Sequence, residues 1–437
     1  MLRASYGAVQ QVKERMREKS SGRIYRSQAE AVVQVLVKVL LEGRYADREI
    51  EYALRSDRRR GAADRAFIAS SVYAVVRFKR LYAYVGRLET VHDATDIWRL
   101  LGVHVLLSGG TLPPWEEFSG LDFDDLAAGR EQAQSVRAVR ESIPDWLDAL
   151  GEAELSEQWD AELSAMNTEA PVVLRVNTLK TDRQALCDRL ERENGLITRP
   201  VAGCPEALEL LRRANVFASA AFSDGWFELQ DASSQRVSRL LAPEPGMRVV
   251  DACAGAGGKT LHLAALMQGR GTLLAMDVYG KKLDELRRRA RRAGVCNVET
   301  RLIESTKTVK RLEATADRLL LDVPCSGLGT LRRNPDAKWK LSLDFIERVT
   351  ALQAEILSSY SRMLKPGGRM VYSTCSVLPR ENQAQVMRFL SEHPDFRLLE
   401  QHSLLSSLHG YDGFYMALLE RGEGKRTQEK ASGAPLK

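Results

Sequence analysis

The sequence predicts three successive regions: an all-helical segment over residues 26–141, a small α/β unit over 142–225, and a doubly wound α/β domain with a mostly parallel sheet over 226–421. Three observations carry this reading. Apolar residues recur at three- and four-residue spacing, without strand signals, up to about residue 140. Ser142-Ile143-Pro144 then opens a stretch in which a strand-like run at 170–177 precedes a helix-like run closed by Gly195. From residue 226 onward strands and helices alternate, which implies a parallel sheet with ligand sites at the carboxyl ends of its strands. A chain of 437 residues also exceeds one ordinary core, as several domains require.

Residues 1–25 are polar and basic, with Lys13, Arg15, Arg17 and Lys19 close together, and read as a flexible arm. From Ser27 the residues Ala31, Val35, Leu36, Val39 and Leu40 mark a helix face. The same period returns at 62–84 and 98–107, until Ser108-Gly109-Gly110 and Pro113-Pro114 break it. In the second region 181–192 is helix-like. In the third, Met247-Arg248-Val249-Val250-Asp251 is a strand, 258–267 a helix, 271–277 a strand and 281–293 a basic helix. Asn297-Val298 leads another strand, Arg318-Leu319-Leu320-Leu321-Asp322 is a buried one, and 343–364 is a long helix. Pro366-Gly367-Gly368 precedes the strand Arg369-Met370-Val371-Tyr372. Residues 422–437 are polar and are expected to be a disordered tail.

Composition narrows the function classes. With 44% hydrophobic and 28% charged residues the chain is globular in character. No run approaches the roughly 18–20 apolar residues of a membrane helix, and no signal peptide is visible, so no membrane partner is expected. The six cysteines (187, 204, 253, 296, 325 and 375) form no C-x-x-C pair, and the six histidines show no ligand spacing. No metal is therefore expected, and a reducing cytoplasm is the natural setting. A monomer is the default for three domains on one chain. The net charge of +6 hides a split. Residues 1–100 carry 20 basic against 12 acidic side chains, 101–250 carry 14 against 25, and 251–437 carry 30 against 21. The basic ends hint at a polyanion.

A glycine-rich loop, Asp251-Ala252-Cys253-Ala254-Gly255-Ala256-Gly257-Gly258-Lys259-Thr260, joins a strand to a helix. Its glycines bring backbone close to a ligand and leave amide N–H groups free at a helix start. A P-loop needs glycine where Cys253 stands, and the nicotinamide fingerprint Gly-x-Gly-x-x-Gly is incomplete. S-adenosylmethionine fits better: Asp251 ends the first strand, the glycines follow, and Asp277 ends the second strand, where a carboxylate accepts from ribose hydroxyls.

Cys325, in Asp322-Val323-Pro324-Cys325-Ser326-Gly327, and Cys375, in Ser373-Thr374-Cys375-Ser376, both fall after strands on that same sheet edge. Methylation at pyrimidine C5 needs such a pair. The carbon is a poor nucleophile until a thiolate adds to C6, and the C5 proton must later leave so that the thiolate can be expelled. Cys375, Cys325 and Asp322 can fill the roles of thiolate, proton relay and group at the N3/N4 edge.

These motifs resemble those of the RsmB–Sun family of RNA cytosine-5 methyltransferases. The resemblance runs through Gln230-Asp231-Ala232-Ser233-Ser234-Gln235, the glycine loop, the Pro-Cys motif, Arg333-Asn334-Pro335-Asp336, Lys365-Pro366-Gly367-Gly368, Tyr372-Ser373-Thr374-Cys375-Ser376 and Asp412-Gly413-Phe414-Tyr415. Arg175-Val176-Asn177 resembles the signature of the family's small RNA-binding domain. Leu41-Glu42-Gly43-Arg44-Tyr45-Ala46-Asp47 resembles the NusB-like extension of the bacterial small-subunit rRNA enzymes. The resemblance implies a Rossmann-like methyltransferase domain, Cys375 as nucleophile and Cys325 as the residue that assists breakdown of the covalent RNA adduct. It implies cofactor contacts from Cys253, Ala254, Gly255, Ala256, Gly257, Gly258, Lys259, Asp277 and Glu304, with Asp322 facing the cofactor or the flipped base. The loop departs from the family's usual Ala-Ala-Pro-Gly-Gly by lacking the proline, which predicts a less rigid turn. Glu304 stands where the family usually has aspartate.

RNA contacts are expected from Arg175 and Asn177, and from Arg332, Arg333 and Lys338 just after the Pro-Cys motif. The helix at 281–293 reads as a solvated basic surface. The substrate class implied is RNA, 16S rRNA by the helical extension. A tRNA substrate would use the same catalytic residues, and a non-catalytic assembly factor could keep the same scaffold.

Overall fold

The structure is a computed structural model that describes residues 24–57 and 59–423. The predicted arm and tail fall almost wholly outside these residues. The chain forms two compact units, one made of residues up to Thr168 with Leu331–Leu343, the other of Glu169–Thr330 with the residues from Asp344.

The first unit is helical. Helices Arg26–Leu40, Ala62–Arg77 and Ala94–Leu107 bury apolar stripes that include Val32, Leu36, Ile68, Val72, Val75, Leu100 and Leu101. Asp93 and Asp122 start two of its helices by accepting N–H bonds from the first turn. Two parts of this unit come from elsewhere in the predicted map. Helices Asp145–Leu155 and Gln158–Met166, at the start of the second region of the sequence, pack within this unit. So does 331–343, expected with the third.

That segment corrects the RNA-contact expectation. Trp339 packs against the helical core and its indole N–H donates to Val76 O (2.7 Å). Lys338 is 3% exposed, and its Nζ donates to Arg77 O (2.8 Å) and Asn167 Oδ1 (3.4 Å). Arg332 is buried and Arg333 half-buried. Lys338 and Arg332 are thus interior side chains, not a phosphate-facing surface. The long aliphatic stem lets a lysine enter a core when its ammonium finds carbonyl acceptors.

The second unit holds two sheets. The smaller is antiparallel, in the order β2-β3-β1-β4, from β1 (Val173–Val176), β2 (Thr198–Val201), β3 (Cys204–Leu210) and β4 (Phe227–Leu229). Helix Arg183–Asn194 starts at Asp182, which caps Ala185 N, and ends at Gly195 with φ 62°.

The larger sheet has seven strands. They are β5 (Arg248–Asp251), β6 (Thr272–Asp277), β7 (Val298–Leu302), β8 (Ala316–Asp322), β9 (Leu364–Thr374), β10 (Phe396–Leu404) and β11 (Phe414–Arg421). Their order is β10-β11-β9-β8-β5-β6-β7. The pairs from β7 across to β9 are parallel, and β11 pairs antiparallel with both β9 and β10. After β7 the chain returns across β5 to lay down β8. This reversal leaves a crevice at the carboxyl ends of β5 and β8, where open α/β sheets take their ligands. The predicted doubly wound, Rossmann-like architecture is present.

Two local differences have clear causes. β9 begins at Leu364, opposite Ala316, and the pairing resumes at Arg369 opposite Arg318. Pro366-Gly367-Gly368 is therefore a bulge inside the strand, with Gly367 at φ 76°. The long helix Leu343–Tyr360 gives way to a 3₁₀ turn before that strand.

Burial lowers the Lys338 pKa to about 7. Above that pH the unfolded chain holds more protons than the folded one, so Lys338 makes stability rise with pH from about 7 toward the ordinary lysine value. Lys338→Met removes this contribution. In urea unfolding of the full chain, the stability of wild type relative to the variant is expected to rise between pH 7 and 9, by up to about 1 kcal/mol per unit. A difference that stays constant with pH would refute the buried lysine.

Candidate active site

The turn after β5 is built peptide by peptide. Asp251 ends the strand, fully buried, and accepts from Thr260 Oγ1 (2.7 Å) in the following helix, Gly258–Leu266. Burial pushes its carboxyl up to about 7. Ala254 N donates to Met276 O (2.9 Å), Gly255 N to Asp277 Oδ2 (2.8 Å), and Gly257 N to Ala254 O (2.9 Å). Gly257 sits at φ 88°, and a Cβ there would lie 2.5 Å from Leu286 Cγ, so only glycine fits. At Gly255 and Gly258, by contrast, a Cβ would project into open space. Backbone can therefore approach a ligand directly at both positions.

Two arginines hold this loop where the proline is missing. Arg175, 2% exposed, donates to Gly258 O (2.5 Å) and to Gln230 Oε1. Arg289 donates to Ala256 O (2.8 Å) and pairs with Glu228 (3.0 Å), which also pairs with Arg292. The loop expected to be slack is pinned at Ala256 and Gly258. Burial lowers the Arg175 guanidinium to about 10, still charged at neutral pH. Asn177 is buried too, its Nδ2 donating to Gly225 O and Ala293 O (both 2.8 Å). Arg175 and Asn177, expected to touch RNA, instead bind the small sheet to the loop and to the end of helix Gly280–Ala293. Both side chains are spent on partners inside the protein.

A cavity of about 740 Å³ opens at the crevice. Cys253, Ala254, Gly255, Ala256, Gly258, Lys259, Asp277, Glu304 and Asp322, positions that the resemblance assigns to the cofactor, line it. Gly257 does not, since it serves the turn. Asp277 accepts from Gly255 N and Tyr279 N (2.8 Å each), yet a carboxylate has further acceptor sites. Lys259 Nζ lies 2.6 Å from Asp322 Oδ2, and Ser373 Oγ donates to Asp322 Oδ1 (2.9 Å). Sequence reasoning gave no role to Gln230, Tyr279 or Tyr360, which also line the cavity. Gln230 stood in a recognised motif, but nothing in the chain order said which way it faces.

Cys325 and Cys375 come together with their sulfurs 3.3 Å apart. The Cys375 sulfur, burial and the charge of Glu381 all push the Cys325 thiol well above its ordinary range. Pro324, beside Cys325, lines the cavity. Behind the sulfurs, Glu381 accepts from Ser326 N (2.8 Å) and from the Ser326 and Ser376 hydroxyls (2.5 Å each). Glu381, Asn382 and Gln353 were missed, because nothing local marks a polar side chain as buried, whether an acid among 58 or an amide. Among the described residues no cluster of three or more His, Cys, Asp or Glu could hold a metal, and no helix is long and apolar enough to cross a membrane.

Comparison with known proteins places this geometry. Residues 238–420 match the family model described as 16S rRNA methyltransferase RsmB/F, and residues 143–217 match the ferredoxin-like domain of RsmF/B-like methyltransferases. The chain is 34% identical over 371 residues to ribosomal RNA small subunit methyltransferase B of Vibrio cholerae, covering 79% of this chain and 78% of that one. It is 37% identical over 299 residues to a probable ribosomal RNA small subunit methyltransferase B of Synechocystis, covering 64% and 67%. A solved methyltransferase homolog protein from Pyrococcus horikoshii superposes with a TM-score of 0.59 at 30% identity, covering 65% of this chain and 97% of that one.

Replacing Arg175 by Met strips the Gly258 carbonyl and Gln230 of their donor. The expected cost is about 2–3 kcal/mol in urea unfolding. Amide exchange across residues 254–260 should rise by about tenfold or more. Unchanged exchange in that loop would show that Arg175 does not hold it.

Proposed function

Since the chain belongs to the RsmB/F family and is an S-adenosylmethionine-dependent RNA cytosine-5 methyltransferase, we propose that it methylates a cytosine of 16S rRNA through a covalent adduct on Cys375. The observation that carries this reading is the pair of sulfurs 3.3 Å apart at the mouth of strands β8 and β9, with unequal surroundings. Cys325 is held as a thiol, by the Cys375 sulfur first and by burial second. A thiol that keeps its proton suits proton handling, and the resemblance of Thr374-Cys375-Ser376 to the family's second cysteine motif supports Cys375 as the sulfur that attacks.

The residues around the cavity fit the cofactor. Gly255 and Gly258 leave space for close approach, Asp277 keeps acceptor sites for ribose hydroxyls, and Glu304 lines the same cavity, at the position where the resemblance puts the adenine contact. S-adenosylmethionine supplies an electrophilic methyl group there. Cys375 Sγ bonds to C6 of the extruded base, and the ring's electrons then make C5 nucleophilic. Asp322, fixed by Lys259 and Ser373, lines the same cavity and is assigned here to the N3/N4 edge of the pyrimidine. After transfer a water molecule takes the C5 proton, the electrons of that C–H bond restore the C5–C6 double bond, and the Cys375–C6 bond breaks to release Cys375 as a thiolate. Cys325 assists this last step from beside the sulfur that departs.

Cys375→Ser should lower methyl transfer to RNA by more than about a thousandfold. Cys325→Ala should stall after transfer and accumulate a protein–RNA adduct that survives denaturing electrophoresis. Full transfer by Cys375→Ser would sink the assigned nucleophile. Bisulfite sequencing of RNA from a deletion strain tests the substrate: loss of a methylcytosine in 16S rRNA is expected, and loss confined to tRNA would overturn the rRNA assignment.

A further inference from the structure

We propose that Glu381 is a positioning residue that locks the two thiol loops together and so sets the distance between Cys325 and Cys375. Glu381 is 0% exposed. A buried carboxylate is costly unless its oxygens are satisfied. Here one oxygen takes the hydroxyls of Ser326 and Ser376, and the other takes Ser326 N and the Gln353 amide (3.0 Å). Ser326 follows Cys325 and Ser376 follows Cys375, so one side chain ties both loops at the residue after the sulfur. The two serine hydroxyls also lie 3.0 Å from each other.

The residues before the sulfurs are tied as well. Gln353 Nε2 donates to Pro324 O (2.9 Å). Thr374 Oγ1 donates to Asn382 Oδ1 (2.5 Å), and Asn382 Nδ2 donates to Ser376 O (3.0 Å). The clamp is itself anchored, since Tyr372 OH donates to Glu381 O (2.6 Å) from β9. Each cysteine is therefore gripped on both sides, and Glu381 is the member common to both loops. The groups that meet its carboxylate are all donors. A glutamine of the same shape would set an amide N–H₂ among them, and the backbone N–H of Ser326 cannot turn away.

The consequence is catalytic. Expulsion of Cys375 needs Cys325 beside the same carbon, and a displacement of about 1 Å costs on the order of a hundredfold in rate. Glu381 does not line the cofactor cavity, so its loss should spare the donor's KM.

The test uses the full chain and two readouts. In Glu381→Gln, kcat for RNA methylation is expected to fall by about thirtyfold or more, with the KM for S-adenosylmethionine within about twofold. Separately, diamide draws two electrons and two protons from the thiol pair to form a Cys325–Cys375 disulfide, followed by peptide mapping. That closure should slow by about tenfold in the variant. Wild-type kcat and wild-type closure would overturn the proposal, and so would a parallel loss of donor affinity, which marks a general loosening of the fold. If Glu381→Gln does not fold, Gln353→Met removes one strand of the clamp and should slow both closure and turnover by about fivefold; unchanged values overturn it. The inference rests on the roles given to the two thiols, but the closure rate does not. Active Cys375→Ser with slow closure in Glu381→Gln would remove the roles and leave the clamp standing.

Discussion

The register between β8 and β9 is the constraint on which the site depends. Asp322 of β8 stands directly opposite Ser373 of β9 in a parallel pair, and the two side chains are hydrogen bonded across it. The chain then leaves both strands on the same edge, so Cys325 and Cys375, three and two residues further on, arrive side by side. A slip of one residue would turn each side chain to the opposite face of the sheet and separate these groups. The bulge at Pro366-Gly367-Gly368 matters for the same reason. It absorbs the extra residues in β9 between the pairs Ala316–Leu364 and Arg318–Arg369, and lets the far end of the strand finish in register.

Charge inside this protein works mostly as a local fastener. Arg175 reaches from β1 to the glycine loop, Arg289 and Arg292 converge on Glu228, and Lys259 converges on Asp322. Each ion removed from water carries a desolvation cost, offset only when several partners meet it. Arg175 shows this balance: burial pulls its pKa down while Glu228 pulls it back up. Such pairs fix geometry more than they add stability. The glycine loop needs that fixation because its open positions, Gly255 and Gly258, contribute no side-chain packing of their own.

What could be read from the sequence follows from how each feature is encoded. Strands β5, β6 and β8 are continuous apolar runs with turn residues at their ends, and such runs announce a buried parallel sheet. The cofactor loop and both cysteine motifs carry their chemistry in consecutive residues, so their place on one edge followed from strand order alone. The antiparallel strands were harder. β10 reads Phe-Arg-Leu-Leu-Glu-Gln-His-Ser-Leu, with most of its residues exposed at the sheet's edge, and β2 contains Pro200. Both lack the apolar signal because both are edge strands. The buried polar residues were least legible. Nothing local distinguishes Lys338 in a core from a lysine in water, because its acceptors, Arg77 O and Asn167 Oδ1, come from distant parts of the chain. Glu381 is the same case with the sign reversed.

This bears on the charge split along the chain. The basic excess of residues 251–437 invites the view that a cationic surface gathers RNA, with helix Gly280–Ala293 as its densest part. Along that helix Arg287 pairs with Asp284, Arg288 with Glu285, and Arg289 and Arg292 with Glu228. Glu228 belongs to β4, inside the acidic middle of the sequence, so part of the positive excess of one region answers the negative excess of another. Segment totals therefore overstate the field that a polyanion would meet. Affinity for phosphate follows the cations that remain exposed, such as Lys281, Lys282 and Arg291 on the same helix. Phosphate contacts carry no base identity, so discrimination among nucleotides falls to groups held in fixed positions, and Asp322 and the two sulfurs are fixed by strand register and by hydrogen bonds, not by net charge.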